Sequence, residues 1–331
     1  MSPSRRVVAV MRHLPDPGVR PLTDAGVEVV HQAEDRPASR EELLELASGA
    51  QGLLTFLSDR VDGELFEAAP SLRVVSNLAV GYDNVDLEAA ARHGVIVTNT
   101  PGVLTETTAD MAWALMLGAA RRVIEGDRWV RSGEWPGWGP SQLLGRTVHG
   151  RTLGIFGMGS IGRAVARRAS GFGMDVLYHN RRRDLVGEAA TCARYVSFGE
   201  LLEQSDFLCL TAPLTDETHH AIDADALAQM RPDAVLVNVG RGPLIDEAAL
   251  VHALADRRIA AAGLDVFERE PELADGLAGL ENAVLVPHLG SATHQTRADM
   301  VRLCCDNLIA VLRGRDPLTP VDPTGPAGRA M

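Results

Sequence analysis

The segment Gly157-Met158-Gly159-Ser160-Ile161-Gly162 sets three glycines at the spacing G-x-G-x-x-G, after an apolar run from Leu153 to Phe156 and before a helical pattern from Ala164 to Ala169. In that context the residues can hold a pyrophosphate. Gly157 permits a tight turn, Gly159 lets backbone approach the phosphates, and Gly162 lets helix and strand pack closely, while the helix N-terminus favours negative charge. The bare spacing also occurs in structural glycine turns; the strand before it, the helix after it and the further βα units downstream point to a dinucleotide. An acid closing the next strand would take a ribose 2′-hydroxyl. That strand, Asp175 to Tyr178, runs instead into His179-Asn180-Arg181-Arg182-Arg183. Asn180 stands near the acid's position, and Arg181 and Arg182 offer cations to a 2′-phosphate, so NADP(H) is expected over NAD(H). The competing reading is a solvated arginine run.

Three further polar residues close apolar runs: Arg241 after Val237 to Gly240, Glu270 after Asp265-Val266-Phe267, and His288 after Val286-Pro287. Loops beyond the carboxyl ends of parallel strands face the ligand crevice, so all three can meet at the cofactor.

The elements needed to place them are visible as two series of short apolar runs alternating with helical patterns. The first comprises Val7-Val10, Val27-Val30, Gly52-Thr55, Val74-Ser76 and Val95-Val97. The second comprises Thr152-Phe156, Asp175-Tyr178, Phe207-Leu210, Ala234-Asn238, Ala260-Leu264 and Val284-Val286. Long helices are expected from Thr105 to Arg122 and from Ser291 to Arg313, one leaving the first series and one following the second. The expected fold is α/β with two doubly wound parallel-sheet domains. A flavodoxin-like substrate domain takes residues 1–100 and 290–331, a Rossmann dinucleotide-binding domain takes 101–289, and the active-site cleft lies between them. The stretch from Gly314 to Met331 reads as an extended tail without chemistry.

Composition narrows the function. The 331 residues suit roughly two domains at about 150 residues each. A net charge of −12 argues against nucleic acid or an anionic membrane as partner. The chain has no lysine, so all 32 Lys+Arg cations are arginine, and Schiff-base, pyridoxal phosphate and Walker-lysine chemistry drop out. The apolar stretch after Arg5-Arg6 is too short for a signal peptide, and no uncharged run approaches the roughly 18 residues of a membrane helix, so the expected location is cytoplasmic. Cys192, Cys209, Cys304 and Cys305 lack metal or disulfide spacing and read as reduced thiols, mostly core. His219-His220 and His294 lack a spaced partner set for zinc and read as surface or helix-cap residues.

Over nearly its whole length the sequence resembles the D-isomer-specific 2-hydroxyacid dehydrogenases. The resemblance is carried by the glycine turn, Asn238-Val239-Gly240-Arg241-Gly242, Leu264-Asp265-Val266-Phe267 with Glu270-Pro271, and Pro287-His288-x-Gly290-Ser291-Ala292-Thr293, in family order. Asn77-Leu78-Ala79-Val80-Gly81-Tyr82-Asp83-Asn84-Val85-Asp86 is similar to the glyoxylate/hydroxypyruvate reductase branch, which often uses NADPH. The resemblance implies that Arg241 grips a 2-oxo acid, that His288 is the acid/base, and that Glu270 pairs with it and favours the imidazolium. It also implies that Val80 and Gly81 supply backbone N–H groups to the substrate carboxylate and that Leu57 forms a pocket wall. Asp265 is implied to hold the nicotinamide carboxamide, with Pro213, Thr218, Val239, Gly240, His288 and Gly290 against the dinucleotide.

The expected activity is NADPH-dependent reduction of glyoxylate and hydroxypyruvate to glycolate and D-glycerate, in a homodimer. Its contact is expected at the Thr105 to Arg122 helix and a Gly/Pro-rich arm bearing Trp129, Trp135 and Trp138. For Trp138 two roles stay open, packing at that contact and reaching a partner's substrate pocket. Two other readings stay open for the chain: a D-2-hydroxyacid dehydrogenase for another 2-oxo acid or for NAD, and a dinucleotide-sensing, corepressor-like binding protein.

Overall fold

Apolar runs of three to five residues, rich in Val, Leu and Ile and flanked by turns, are too short for helices and become strands in the computed structural model. Residues 6–32 and 34–322 are described. The reading of Met1 to Arg5, and of the tail beyond Asp322, falls outside them. The chain forms two units, Met1–Leu104 with Ala292–Met331, and Thr105–Ser291.

The first unit runs β1 (Val7–Val10), α1 (Arg20–Asp24), β2 (Glu28–His31), α2 (Arg40–Ser48), β3 (Gly52–Thr55), α3 (Gly63–Ala68), β4 (Val74–Asn77), α4 (Leu87–Arg92) and β5 (Ile96–Thr98). Its five strands lie in the order β2-β1-β3-β4-β5, every pair parallel. This is the flavodoxin-like order. β3 and β4 bury all their residues, as strands covered on both faces must. The strand order reverses between β1 and β3, so the segments leaving them, including Phe56 and Leu57, open at the crevice end.

The second unit contains α5 (Thr105–Ala120), α6 (Val123–Ser132), β6 (Thr152–Phe156), α7 (Ser160–Ala169), β7 (Asp175–His179), α8 (Leu185–Thr191), β8 (Arg194–Tyr195), α9 (Phe198–Gln204) and β9 (Phe207–Leu210). It ends with α10 (Ala224–Gln229), β10 (Val235–Asn238), α11 (Glu247–Ala255), β11 (Ala261–Leu264) and β12 (Ala283–Leu285). Its seven parallel strands are ordered β12-β11-β10-β9-β6-β7-β8. Counted from β6 that is the Rossmann order with one added strand, and the switch point lies between β6 and β9. α12 (His294–Leu312), capped by the Thr293 side chain, returns to the first unit. There Cys304 Sγ donates to the Asn77 carbonyl at 3.7 Å, and Arg73 donates to the Val311 carbonyl at 3.0 Å.

Several elements differ from their sequence expectation. The helix expected to reach Arg122 stops at Ala120, because Arg122 takes a left-handed φ of 54° and opens α6. Trp129 therefore sits on a helix rather than in an irregular arm. The apolar face of α5 is consumed inside its own unit: Ala109, Ala112, Trp113 and Met116 are buried, and the Trp113 indole donates to the Val165 carbonyl at 3.1 Å. Exposed apolar side chains gather instead on α6 and beyond it, at Val123, Ile124, Val130, Trp135 and Trp138, the last 85% exposed. β8 was not expected at all. Two residues carry no periodicity.

Candidate active site

β6 delivers Gly157 at its carboxyl end with φ of 101°. A Cβ there would lie 2.4 Å from the Ala212 nitrogen, and one on Gly162 would lie 2.4 Å from the Gly157 carbonyl oxygen, so a side chain fits at neither. At Gly159 the same position is open, with nothing within 4 Å. Helix α7 starts there with no side-chain cap. The first-turn N–H groups of Ser160, Ile161 and Gly162 have no partner among the described residues. An open backbone cradle at a helix N-terminus fits a pyrophosphate. Met158 differs from its neighbours: its side chain is buried, and its N–H is given to Asn180 Oδ1 at 2.5 Å.

That bond begins a braced loop after β7. The Asn180 carbonyl accepts from the Tyr195 hydroxyl at 3.2 Å. At the other end Arg183 makes a two-pronged contact with Glu188 at 2.7 and 2.8 Å, and Arg163 of α7 pairs with Asp184. The Tyr178 hydroxyl donates to Glu188 at 2.7 Å and accepts from the Asp184 N–H at 2.8 Å. The hydrogen bonds from Arg183 and then Tyr178 hold the Glu188 carboxyl down to about 2. Between these fixed ends stand Arg181 and Arg182, both exposed. The charge of Arg181 contributes, after the Thr215 hydroxyl, to holding the Glu217 carboxyl low. Arg182 has no ion-pair partner among the described residues.

The loops after β9 and β10 are similarly constrained. The Thr218 hydroxyl donates to the Pro213 carbonyl at 2.7 Å and accepts from the Thr215 N–H at 2.8 Å. Val239 donates to the Leu210 carbonyl, and the Asn238 side chain spans the turn, accepting from the Gly240 N–H at 3.0 Å and donating to the Arg241 carbonyl at 2.8 Å. Arg241 leaves this turn half-buried, one terminal nitrogen donating to the Gly240 carbonyl.

His288 follows β12 with φ of 53°, a left-handed conformation that is costly for a non-glycine residue and persists where surroundings enforce it. Asp265, 1% exposed, provides the enforcement. Its carbonyl accepts from the His288 N–H at 2.9 Å, and its carboxylate accepts from the Leu289 and Gly290 N–H groups at 2.6 and 2.8 Å. The structure thus places the Asp265 carboxylate on the His288 loop. Burial pushes that carboxyl above its usual value despite the two donors.

So held, His288 Nδ1 meets Glu270 Oε2 at 3.0 Å, while the Phe267 N–H donates to Glu270 Oε1 at 3.1 Å. Burial raises the Glu270 carboxyl. The hydrogen bond and charge of His288, the Phe267 N–H and the charge of Arg241 outweigh it, leaving Glu270 below the ordinary carboxylate range. The charges of His288 and Arg241 thus both bear on Glu270.

In the first unit, Val80 and Gly81 form a loop whose carbonyls are gripped. Thr100 N–H donates to the Ala79 carbonyl at 2.8 Å, Asn99 Nδ2 to Val80 at 2.7 Å, and Asn77 Nδ2 to Gly81 at 3.0 Å. In a trans peptide the N–H points opposite the carbonyl. The N–H groups of Val80 and Gly81 accordingly face away from these anchors, and neither has a partner among the described residues. Leu57 is half-buried one residue beyond Phe56, whose N–H and carbonyl are held by Asp59 and Asn84.

Sequence reasoning passed over several residues that position this machinery. Glu247, buried at the start of α11, accepts from the Glu268 and Ala274 N–H groups at 3.1 and 2.8 Å, and its own N–H donates to Glu268 at 3.2 Å, bracketing the Glu270 segment. His220 meets Glu268 at 3.2 Å and stacks on His219. A Cβ on Gly242 would fall 1.8 Å from the Phe267 carbonyl oxygen, so glycine is what lets the Arg241 and Glu270 loops touch. None carries a spacing signal; the signal in Glu247 was only its place after the helix-capping Asp246. Among the described residues no group of three or more His, Cys, Asp or Glu side chains could hold a metal, and no helix is long and apolar enough to cross a membrane.

A glycine turn of this geometry, at the switch point of a parallel sheet in this order, defines an NAD(P)-binding domain. Residues 113–290 match the family described as D-isomer specific 2-hydroxyacid dehydrogenase, NAD binding domain. The chain is 49% identical over 319 residues to a glyoxylate reductase of Thermococcus onnurineus, covering 95% of each chain. It is 48% identical to a glyoxylate reductase of Pyrococcus furiosus, again over 95% of each. Among solved structures, an NADPH-dependent glyoxylate/hydroxypyruvate reductase from Sinorhizobium meliloti, in complex with NADP and malonate, matches with a TM-score of 0.84 at 37% identity, covering 97% of this chain and 98% of that one. The chain belongs to the D-isomer-specific 2-hydroxyacid dehydrogenases and is an oxidoreductase of that family.

Proposed function

We propose that the protein is an NADPH-dependent reductase of glyoxylate and hydroxypyruvate, forming glycolate and D-glycerate. The observation that carries this reading is the His288–Glu270 pair within reach of the Arg241 charge, a proton donor and a cation placed on loops at the carboxyl ends of strands. A bound reduced nicotinamide supplies the hydride to the carbonyl carbon of the 2-oxo acid. Arg241 grips the carboxylate and polarises the carbonyl through its fork of donors. In the first unit, the Val80 and Gly81 N–H groups are donors for a substrate carboxylate, and Leu57 is a wall for a small substituent. Because Nδ1 is turned to Glu270, Nε2 of His288 is the nitrogen that protonates the oxygen as hydride arrives, and water restores that proton afterwards.

The cofactor side rests on the braced loop after β7. With no carboxylate at Asn180 to oppose it, a 2′-phosphate can be paired by Arg181 and Arg182. Asp265 and Gly290, with Val239 and Gly240, line the nicotinamide end, and Pro213 and Thr218 the loop beyond β9. Comparing kcat/KM for NADPH and NADH with glyoxylate tests this directly; a clear NADH preference rejects the cofactor assignment. The exposed apolar side chains of α6, with Trp135 and Trp138, support a homodimer, which sedimentation would show as twice the mass of 35.4 kDa.

A further inference from the structure

The segment after α12, read from sequence as a tail without chemistry, is joined to the Val80–Gly81 loop by a short series of hydrogen bonds centred on Thr319. The Leu318 and Thr319 N–H groups donate to Asn307 Oδ1 at 2.8 and 3.1 Å, and Asn307 Nδ2 donates to the Thr319 hydroxyl at 2.8 Å. Asn307 is fully buried on α12. The Thr319 hydroxyl passes its own hydrogen to the Asn99 carbonyl at 2.7 Å, and the Asn99 N–H returns to the Thr319 carbonyl at 3.3 Å. Asn99 Nδ2 then donates to the Val80 carbonyl at 2.7 Å. Beyond this junction, Pro320 bridges Thr98 antiparallel and the Val321 N–H donates to the Val97 carbonyl at 2.8 Å, which pins the segment along β5. The hydroxyl both gives and receives, and both ends of the Asn307 amide are used. A network satisfied in this way is stiff.

We infer that Thr319 and Asn99 are positioning residues for the 2-oxo acid, with residues 317–322 acting as the fixed point that aims the Gly81 N–H at its carboxylate. The reason is geometric. The Val80 carbonyl and the Gly81 N–H belong to one planar peptide unit, so gripping the first orients the second. This rests on the reading of Val80 and Gly81 as the carboxylate site.

The test is steady-state kinetics with NADPH and glyoxylate on the full chain. Thr319→Val, which keeps the shape and deletes the hydroxyl, and Asn99→Leu should each raise the glyoxylate KM about tenfold, the scale of losing one such hydrogen bond. The kcat and the NADPH Kd, read by fluorescence titration, should stay at wild-type values, and Thr319→Ser should restore KM. A lowered Tm with unchanged KM in both variants overturns the inference, as does failure of the serine variant to rescue. Gly81→Pro, which deletes the N–H itself, separates the two claims. An unchanged KM there removes the carboxylate-site reading. A raised KM there, with wild-type KM in Thr319→Val and Asn99→Leu, overturns only the positioning role.

Discussion

The Glu270 carboxylate faces Nδ1 of His288 at 3.0 Å, so only Nε2 of that ring remains for chemistry. The backbone of His288 is forced into the left-handed region by Asp265, which locks the ring's origin as Glu270 locks its rotation. Position and tautomer are thus set before any substrate arrives.

In the proposed mechanism, replacing the ring removes the proton donor and little else. His288→Asn should lower kcat with glyoxylate by about 10²–10⁴-fold, the usual contribution of a positioned acid or base. NADPH binding, followed by fluorescence, should persist. Retained turnover would reject the acid/base role.

Glu270→Gln tests the electrostatics. The depressed Glu270 carboxyl stays ionised above its unfolded value and loses its charge as pH falls through the lower folded one, so the pair is assembled near neutrality and dissolves in acid. The acid limb of the reduction profile, where wild-type Glu270 loses its charge, should be absent from the variant, measured as kcat/KM across a buffer series. An unmoved limb would mean that Glu270 only orients the ring.

Cofactor preference should reside in Arg182. Arg182→Ala should weaken NADPH by about ten- to a hundredfold, the scale of one or two charge-assisted hydrogen bonds, and leave NADH kinetics alone. Equal losses for both cofactors would place Arg182 outside the 2′-phosphate site.

The brace behind that arginine is separable. Burial, then the bond to Glu188, pushes the Tyr178 hydroxyl up to about 12, and Arg183 and Tyr178 hold the Glu188 carboxyl down to about 2. Both groups therefore keep one protonation state at every ordinary assay pH. Tyr178→Phe should reduce the NADPH:NADH ratio of kcat/KM by a similar factor at each pH tested. A pH-dependent or absent effect would count against the brace.

Thiol labelling reports on the core. Burial pushes the thiols of Cys209, Cys304 and Cys305 up to about 12, while Cys192 is exposed. A maleimide at neutral pH should modify Cys192 alone in the folded protein, and all four cysteines of the chain after denaturation. Native labelling of Cys304 or Cys305 would show that α12 opens.

The parts of this fold that were legible in the sequence are those with a local cause. Strands such as Gly52–Thr55 and Thr152–Phe156 announce themselves as short apolar runs, and the turn from Gly157 to Gly162 is a local shape that only glycine permits. α6 was hidden because a single left-handed residue, Arg122, separates it from α5, and because its Val, Ile and Gly residues favour no helix. The candidate site divides in the same way. Arg241, Glu270 and His288 stand out as polar residues ending apolar runs. Glu247, Asn99, Tyr178 and Thr319 act across 6 to 220 residues of sequence, the longest being the Thr319–Asn99 bond, and leave no pattern in the residues around them.

The most direct test is a crossed assay of purified protein, following absorbance of NADPH and NADH against glyoxylate, hydroxypyruvate and bulkier 2-oxo acids. Steady oxidation of NADPH, fastest with glyoxylate or hydroxypyruvate and abolished in His288→Asn, is the expected result. Cofactor binding without oxidation on any 2-oxo acid, or activity confined to other 2-oxo acids, would contradict the proposed reaction.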